Sequence, residues 1–404
     1  MNAIPDRIDS PGAAIAAACA VVGVTRTEQT PLLEAIGRIA ALDVATDRPS
    51  PPFDASAMDG YAVHLGSLRA GIQQVVGEVC IGTDPGVFDA SGGVVRIVTG
   101  GALPRGADAV IKREDVEEID AATIGIAQSV IDRCRVGLAV RPRGENGAAG
   151  TMLGLAGSEI NAPAAGALAS AGASMVTTHA PVRIAILTTG DELVGTDEVP
   201  GAYQLRDSNG PSLAAMLSRR RWLEASTPRR VRDEPEVALA LAAELLANHD
   251  CLLLTGGVSM GHRDFVPALV ESLGGRKTCH HLPQRPGKPL LLAAAGGKLI
   301  AGLPGNPQSV MVTARRIIVP ILAHMAGMQH GIPVMRVPLQ GDDASLGLWW
   351  YRPARLGADG DAVLVDGRGS GDIIAASRSD GFVELAPNQK AAGLLTLPFY
   401  SWSW

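Results

Sequence analysis

The stretch Val182–Leu193, VRIAILTTGDEL, decides the fold. Its first half is apolar apart from Arg183, and it breaks off at Thr188, Thr189 and Gly190. A strand with one wet face alternates apolar and polar residues. A strand covered on both faces is apolar throughout, as in a parallel sheet flanked by helices. Two later segments have the same shape: CLLLTGG (251–257) and KLIAGLPGN (298–306). Helical patterns lie between and after them. PSLAAMLSRR (211–220) has Ser208 or Asn209 as its start signal, PEVALALAAELLANH (235–249) places Val237, Leu241 and Leu245 on one face, and a helix is expected from about Pro307. Alternating strands and helices predict an α/β domain built on a mostly parallel sheet with both faces covered.

Outward from this core the texture changes. Residues 11–45 suggest helix, with Thr30 as N-cap and Pro31 at the first helical position of TPLLEAIGRIAALDV. From about 50 to 145, short runs such as QQVVGEVCIG (73–82) and GGVVRIV (92–98) alternate with Gly, Pro and Asp turns, which predicts a small β domain. APAAGALASAGA (162–173) returns to helix with Gly172 as its stop. Packing of the two helical pieces against each other would make the β domain an insertion with neighbouring ends. The last stretch, 330–404, is β-like again. A chain of 404 residues has room for these several cores.

Composition excludes several function classes. The net charge is −6 and the pI about 5.8, so the chain lacks the basic footprint of a nucleic-acid binder. Local Arg and Lys clusters still permit a small anionic ligand. No run approaches the ~20 apolar residues of a membrane span. The Ala-rich N-terminal run predicts an amphipathic helix rather than a signal peptide. Five cysteines without a C-x-x-C pair fit small core residues in a reducing cytoplasm.

Ligands of open parallel sheets bind beyond the carboxyl ends of the strands. The loops to read are therefore TTGDEL (188–193), TGGVSMGHRD (255–264) and GLPGNPQS (302–309). The first offers Thr189, Gly190, Asp191 and Glu192, which suit a divalent cation, a ribose, or only a capped polar loop. In the second, Gly256 and Gly257 would let backbone N–H groups approach an anion, with Ser259 and Asp264 alongside; Asp264 could hold Mg²⁺ against a phosphate. A tight turn with solvated charges is the plainer alternative. In the third, Pro304, Gly305, Asn306 and Pro307 form a rigid turn that suits either pre-organised binding or a simple strand-to-helix connection. RPGKP (285–289) adds Arg285 and Lys288, an oxyanion clamp or a solvated turn. Arg219–Arg221 complement the C-terminus of their helix, and His280 and His281 are expected at the surface.

These loops, together with PPFDASAMDGYAV (51–63) and RIVTGGALPRGADAVIKREDV (96–116), occur in an order that resembles the molybdopterin molybdenumtransferase family, the MoeA-type proteins related to the E-domain of gephyrin. The resemblance covers the chain from about residue 10 onward. It implies a homodimer of four subdomains per chain. These are a helical linker (1–50 and 141–175), an inserted β domain (51–140), a molybdopterin-binding α/β domain (176–328) and a C-terminal β-barrel-like domain (329–404). It implies a cytoplasmic enzyme that takes adenylylated molybdopterin and molybdate, uses Mg²⁺, releases AMP and yields molybdenum cofactor. The active cleft would combine the α/β domain of one subunit with the β insert of the other. Asp59, Glu192, Asp233 and Asp264 match the family's acids, with Glu192 and Asp264 as metal ligands. Thr99, Pro304 and Pro307 match its T-G and P-G-N-P motifs. The adenylyltransferase of the preceding step and acceptor molybdoenzymes are implied partners. Two departures stand out: Arg285 and His281 occupy positions where the family carries Lys, and GSGDIIAASRSDG (369–381) puts Ile374 and Ala375 where a serine pair is usual. The alternatives are the adenylyltransferase activity itself and a non-catalytic scaffold. Asp54 is expected only to cap a turn.

Overall fold

The computed structural model describes residues 8–87, 92–258, 265–339, 341–342, 344–390 and 395–404. The chain divides into two compact units, Met1–Leu42 with Leu155–Ala165 and Met175–Trp404, and Asp43–Gly154 with Gly166–Ser174.

In the first unit, the strand Val182–Thr189 lies inside a seven-stranded mixed sheet. Cys251–Thr255 pairs with it in parallel on one side, and Lys298–Leu303 runs parallel beyond that. On the other side sit the short parallel strands Leu223–Ala225 and Arg229–Val231. Leu291–Ala295 and Arg276–His280 extend the sheet antiparallel. The apolar runs are explained by two-sided burial: Ile184, Ile186 and Leu253 enter one core, and Ala185, Leu187, Leu252 and Leu254 the other. The helices Pro11–Cys19, Asn209–Leu217 and Pro307–Thr313 cover the first face. Pro235–Asn248 and Val266–Ser272 cover the second.

Three local expectations change. In the helix Pro235–Asn248 the buried stripe is Ala238, Ala242, Leu245 and Leu246, while Val237 is exposed and Leu241 half-buried. Two stripes of similar spacing compete there, and the alanines win because the sheet surface admits a close approach. The segment around Thr30 is not a helix start. Thr27–Pro31 pairs antiparallel with Met175–His179, and the Thr30 hydroxyl meets that of Thr178 at 2.7 Å. Only one helical turn, Leu32–Ala35, follows before Gly37 turns the chain at φ +79°. The N-terminal helix Pro11–Cys19 is capped by Ser10 and packs on Val319–Met325 and the sheet instead of on the later linker helix.

The C-terminal segment closes into a five-stranded barrel. Trp349–Leu356, Ala362–Leu364, Met335–Leu339, Leu395–Ser401 and Gly381–Leu385 pair in turn, and the last returns to the first. Its interior holds Val337, Leu339, Ala354, Val383, Leu385, Leu397 and Phe399. Gln284–Arg285 adds to the barrel as a parallel partner of Trp349 and Trp350, which joins it to the sheet domain. Arg219 and Arg220 reach this tail instead of a helix end: Arg219 donates to Ser403 Oγ at 3.0 Å, and Arg220 to the Trp404 carbonyl at 3.0 Å.

The second unit contains a six-stranded sheet in the order Ala109–Lys112, Gly60–Val63, Val94–Ile97, Gly71–Glu78, Thr123–Ile126, Glu117–Glu118. Its entry and exit are held side by side, with Leu153 N 2.9 Å from Val44 O. The helix Ala162–Ser170 ends before Gly172, whose φ is +79°. Asp54 ties a distant segment, not a local turn: its carboxylate accepts from Arg143 N at 2.7 Å. Of the cysteines, Cys251 and Cys279 are buried and Cys80 is exposed. No helix among the described residues is long and apolar enough to cross a membrane.

Candidate active site

The three strand-end loops line one cleft of about 1050 Å³, together with Asp233, the RPGKP segment, and the strand Trp349–Leu356 and the loop 365–370 of the barrel. All of these belong to the first unit. Packing of backbone on backbone builds its floor. Gly256 has φ +90°, and a Cβ there would stand 2.7 Å from the Thr189 carbonyl oxygen. Its N–H donates to Leu303 O at 3.2 Å, which packs the second loop against the third strand. The Thr189 hydroxyl donates to Thr255 O at 3.2 Å and fastens the first loop to the second. Asn209 Nδ2 donates to Gly305 O at 2.8 Å and ties the helix Asn209–Leu217 to the third loop. That helix starts at Asn209 with Ser208 as its N-cap residue, as expected, but the capping side chain is that of Asp207. Its carboxylate accepts from Asn209 N and Gly210 N, each at 3.0 Å, and from the Thr188 hydroxyl.

One wall is acidic. Glu192 lines the cleft, folded back over Gly190, where a Cβ would stand 2.8 Å from a Glu192 carboxylate oxygen. Asp191 accepts from Asp233 N at 3.2 Å. Burial, then the negative charges of Asp191 and Glu192, push the Asp233 carboxyl above its ordinary value. Two like charges near one half-buried carboxyl create a demand for a cation. Among the described residues no three carboxylate, His or Cys groups converge as a ready-made metal cage. Mg²⁺ characteristically takes one or two carboxylates and keeps several waters, so this donor set fits it.

The cleft is also lined by cations. Arg285 and Lys288 are exposed toward the cleft, while Gln284, Pro286 and Gly287 are buried behind them. Arg352 and Arg368 join from the barrel. Arg352 is held by both oxygens of Asp342, at 2.7 and 2.8 Å, and lies 4.5 Å from the Trp350 ring centroid. Sequence reading missed these barrel residues. Their only signal was the alternation in WWYR, which puts Trp350 and Arg352 on one face without saying which. Of the P-G-N-P turn, Pro304, Gly305 and Asn306 line the cleft, whereas Pro307 opens the helix behind it. Asn306 Nδ2 donates to Ser370 Oγ at 2.8 Å, so the altered C-terminal segment brings Ser370, rather than Ile374 or Ala375, to the site. His281 is not a cleft residue. Its ring stacks on His280 at 4.2 Å with both nitrogens buried and unpartnered, and burial, then His280 and Lys288, lower its pKa.

Asp59 and Thr99 come together in the second unit. The Asp59 carboxylate accepts from Thr99 N at 2.7 Å and from the Thr99 hydroxyl at 2.8 Å. These two bonds, with a smaller contribution from Arg113, hold its pKa below the usual carboxylate range. Ser259 and Asp264 lie outside the described residues.

Residues 10–172 match the model of the MoeA N-terminal region (domain I and II), and residues 185–324 that of a probable molybdopterin binding domain. A molybdopterin molybdenumtransferase of a Nostoc species is 32% identical over 78% of this chain and 73% of its own length. The chain belongs to the molybdopterin molybdenumtransferase family. It is therefore an enzyme of molybdenum cofactor biosynthesis, of the transferase class. Another member, from a Synechocystis species, is 30% identical over 91% of this chain and 93% of its own. The solved MoeA protein of Pyrococcus horikosii superposes with a TM-score of 0.78 at 26% identity, covering 98% of this chain and 99% of that one.

Proposed function

We propose that this family member inserts molybdenum from molybdate into adenylylated molybdopterin, with Mg²⁺-dependent release of AMP. The observation that carries the reading is one cleft lined both by carboxylates, Glu192 and Asp233, and by the cations Arg285 and Lys288. Molybdate is a dianion and would be repelled by the acidic wall alone. Arg285 and Lys288 supply the charge that binds it, Arg by paired N–H donors and Lys as a point charge. Glu192 and Asp233 would hold Mg²⁺, with Asp264 as a further ligand. The ion would neutralise the phosphates during cleavage of the phosphoanhydride. Thr189, Pro304, Gly305 and Asn306 keep the floor rigid, so little is lost in ordering it on binding. We further infer a cytoplasmic homodimer, in which Asp59 and Thr99 act on the substrate held by the partner subunit, and a division into the four subdomains given above. The adenylyltransferase of the preceding step is the expected donor, and molybdoenzymes the acceptors. Expression in a strain lacking its own molybdenumtransferase tests the reading. Wild type restores molybdoenzyme activity, and Glu192→Gln or Asp264→Ala does not. Failure of the wild-type gene to restore growth refutes it.

A further inference from the structure

The basic segment of the cleft has a buried support that no family resemblance assigns. Gln284 precedes Arg285 and is 2% exposed. A buried amide must find partners for both of its ends. Its Nε2 donates to Gly287 O at 2.7 Å, within the same loop, and its Oε1 accepts from the Tyr351 hydroxyl at 3.1 Å. Tyr351, itself 2% exposed, stands on the barrel strand between Trp350 and Arg352. Strand geometry sends neighbouring side chains to opposite faces. Tyr351 faces the outside of the barrel, against Val312, Phe382 and Tyr400, and its bond to Gln284 fixes the register of the groups on the other face: Arg285 pairs with Trp350 across the strands, and Arg352 is the next residue on that face. The same bond clamps Gly287, the residue before Lys288. Gly287 has φ +94°, and a Cβ there would lie 2.4 Å from Thr313 Oγ1, so the loop sits against the helix with no slack.

We propose that Gln284 is a positioning residue. Through Gly287 and Tyr351 it sets the spacing of Arg285, Lys288 and Arg352, and so the affinity of the cleft for a tetrahedral oxyanion. The inference rests on the reading that molybdate is a substrate. Gln284 touches no oxyanion itself. An apolar residue of the same length would fill the space but leave the Gly287 carbonyl and the Tyr351 hydroxyl without a partner, and the loop would relax toward other acceptors.

Calorimetric titration of the intact protein with sodium molybdate tests this, using Gln284→Met and Tyr351→Phe beside wild type. The expected result is a Kd raised about tenfold in Gln284→Met, or ~1.4 kcal/mol, and by a smaller factor in Tyr351→Phe. In the AMP-release assay the KM for molybdate should rise with kcat within a factor of about two, as for a residue that affects binding alone. A lower Tm with unchanged Kd and KM assigns Gln284 a structural role only and overturns the proposal. Absence of molybdate binding by wild type sinks the reading of the cleft, and the proposal with it. Normal binding by wild type and both variants sinks the proposal alone. Should Gln284→Met fail to fold, Tyr351→Phe, which keeps the ring and loses one hydroxyl, decides the matter.

Discussion

Gly256→Ala probes the idea that the cleft floor depends on backbone packing between loops. The added Cβ meets the Thr189 carbonyl oxygen at 2.7 Å and the Thr189 hydroxyl at 2.9 Å. Both contacts fall on a strand end buried on two faces, so neither partner can swing aside. Holding alanine at φ +90° costs about 1–2 kcal/mol. Relieving the overlap costs a further ~1–3 kcal/mol, the usual range for overpacking. Together these should lower the melting temperature by roughly 5–10 °C in a domain of this size. Gly305 supplies the control within the same floor. A Cβ there finds its nearest atom, Gly256 Cα, at 3.9 Å, so Gly305→Ala should melt with wild type. Differential scanning fluorimetry of the two variants, followed by AMP release at saturating substrate, makes the comparison. Gly256→Ala should lose both stability and turnover, because Thr189 and the Glu192 loop move with it. Equal melting temperatures for Gly256→Ala and wild type would refute the reasoning.

Three other predictions use different parts of the molecule. Asp233 has a raised folded pKa, so its contribution to stability is fullest with the group protonated, below its ordinary value near 3.8, and is lost as pH rises through the folded value. Asp233→Asn should therefore raise the metal-free melting temperature at neutral pH and reduce the further rise produced by MgCl₂; an undiminished response to MgCl₂ would count against a cation at this wall. Asp59→Asn keeps an oxygen for the Thr99 donors, so melting should be unchanged while turnover falls. In mixed dimers it should be complemented by Glu192→Gln on the other subunit, measured as recovery of AMP release. Trp404→Ala removes a ring 5.8 Å from Trp222 and 5.2 Å from both Arg220 and Arg315, and should cost ~2–4 kcal/mol in denaturant titration without changing the molybdate Kd.

How much of this was legible in the sequence depends on the kind of signal. Val182–Thr189 and its two parallel companions were clear because two-sided burial leaves an apolar run that nothing local contradicts. The loops after them were clear for a topological reason: parallel strands place their carboxyl ends together, so three distant Gly-rich segments had to meet. Thr30 and Pro31 misled because a cap signal is local, whereas their pairing with Met175–His179 is made across almost 150 residues of chain. The stripe of Pro235–Asn248 misled because alanines carry little hydrophobic weight yet fit closest to a sheet. Gln284, Tyr351 and Arg352 were invisible for a further reason. Their roles depend on how the barrel strand registers with Gln284–Arg285, and no spacing within either segment encodes that register.

The central claim is that this cleft converts adenylylated molybdopterin and molybdate into molybdenum cofactor. The most direct measurement incubates the purified protein with both substrates and Mg²⁺ and follows AMP by chromatography, with cofactor scored by reconstitution of a molybdenum-free apoenzyme. AMP and active cofactor should form in equal amounts, both abolished by EDTA and by Glu192→Gln. Unconsumed adenylylated molybdopterin, with neither product formed, would contradict it.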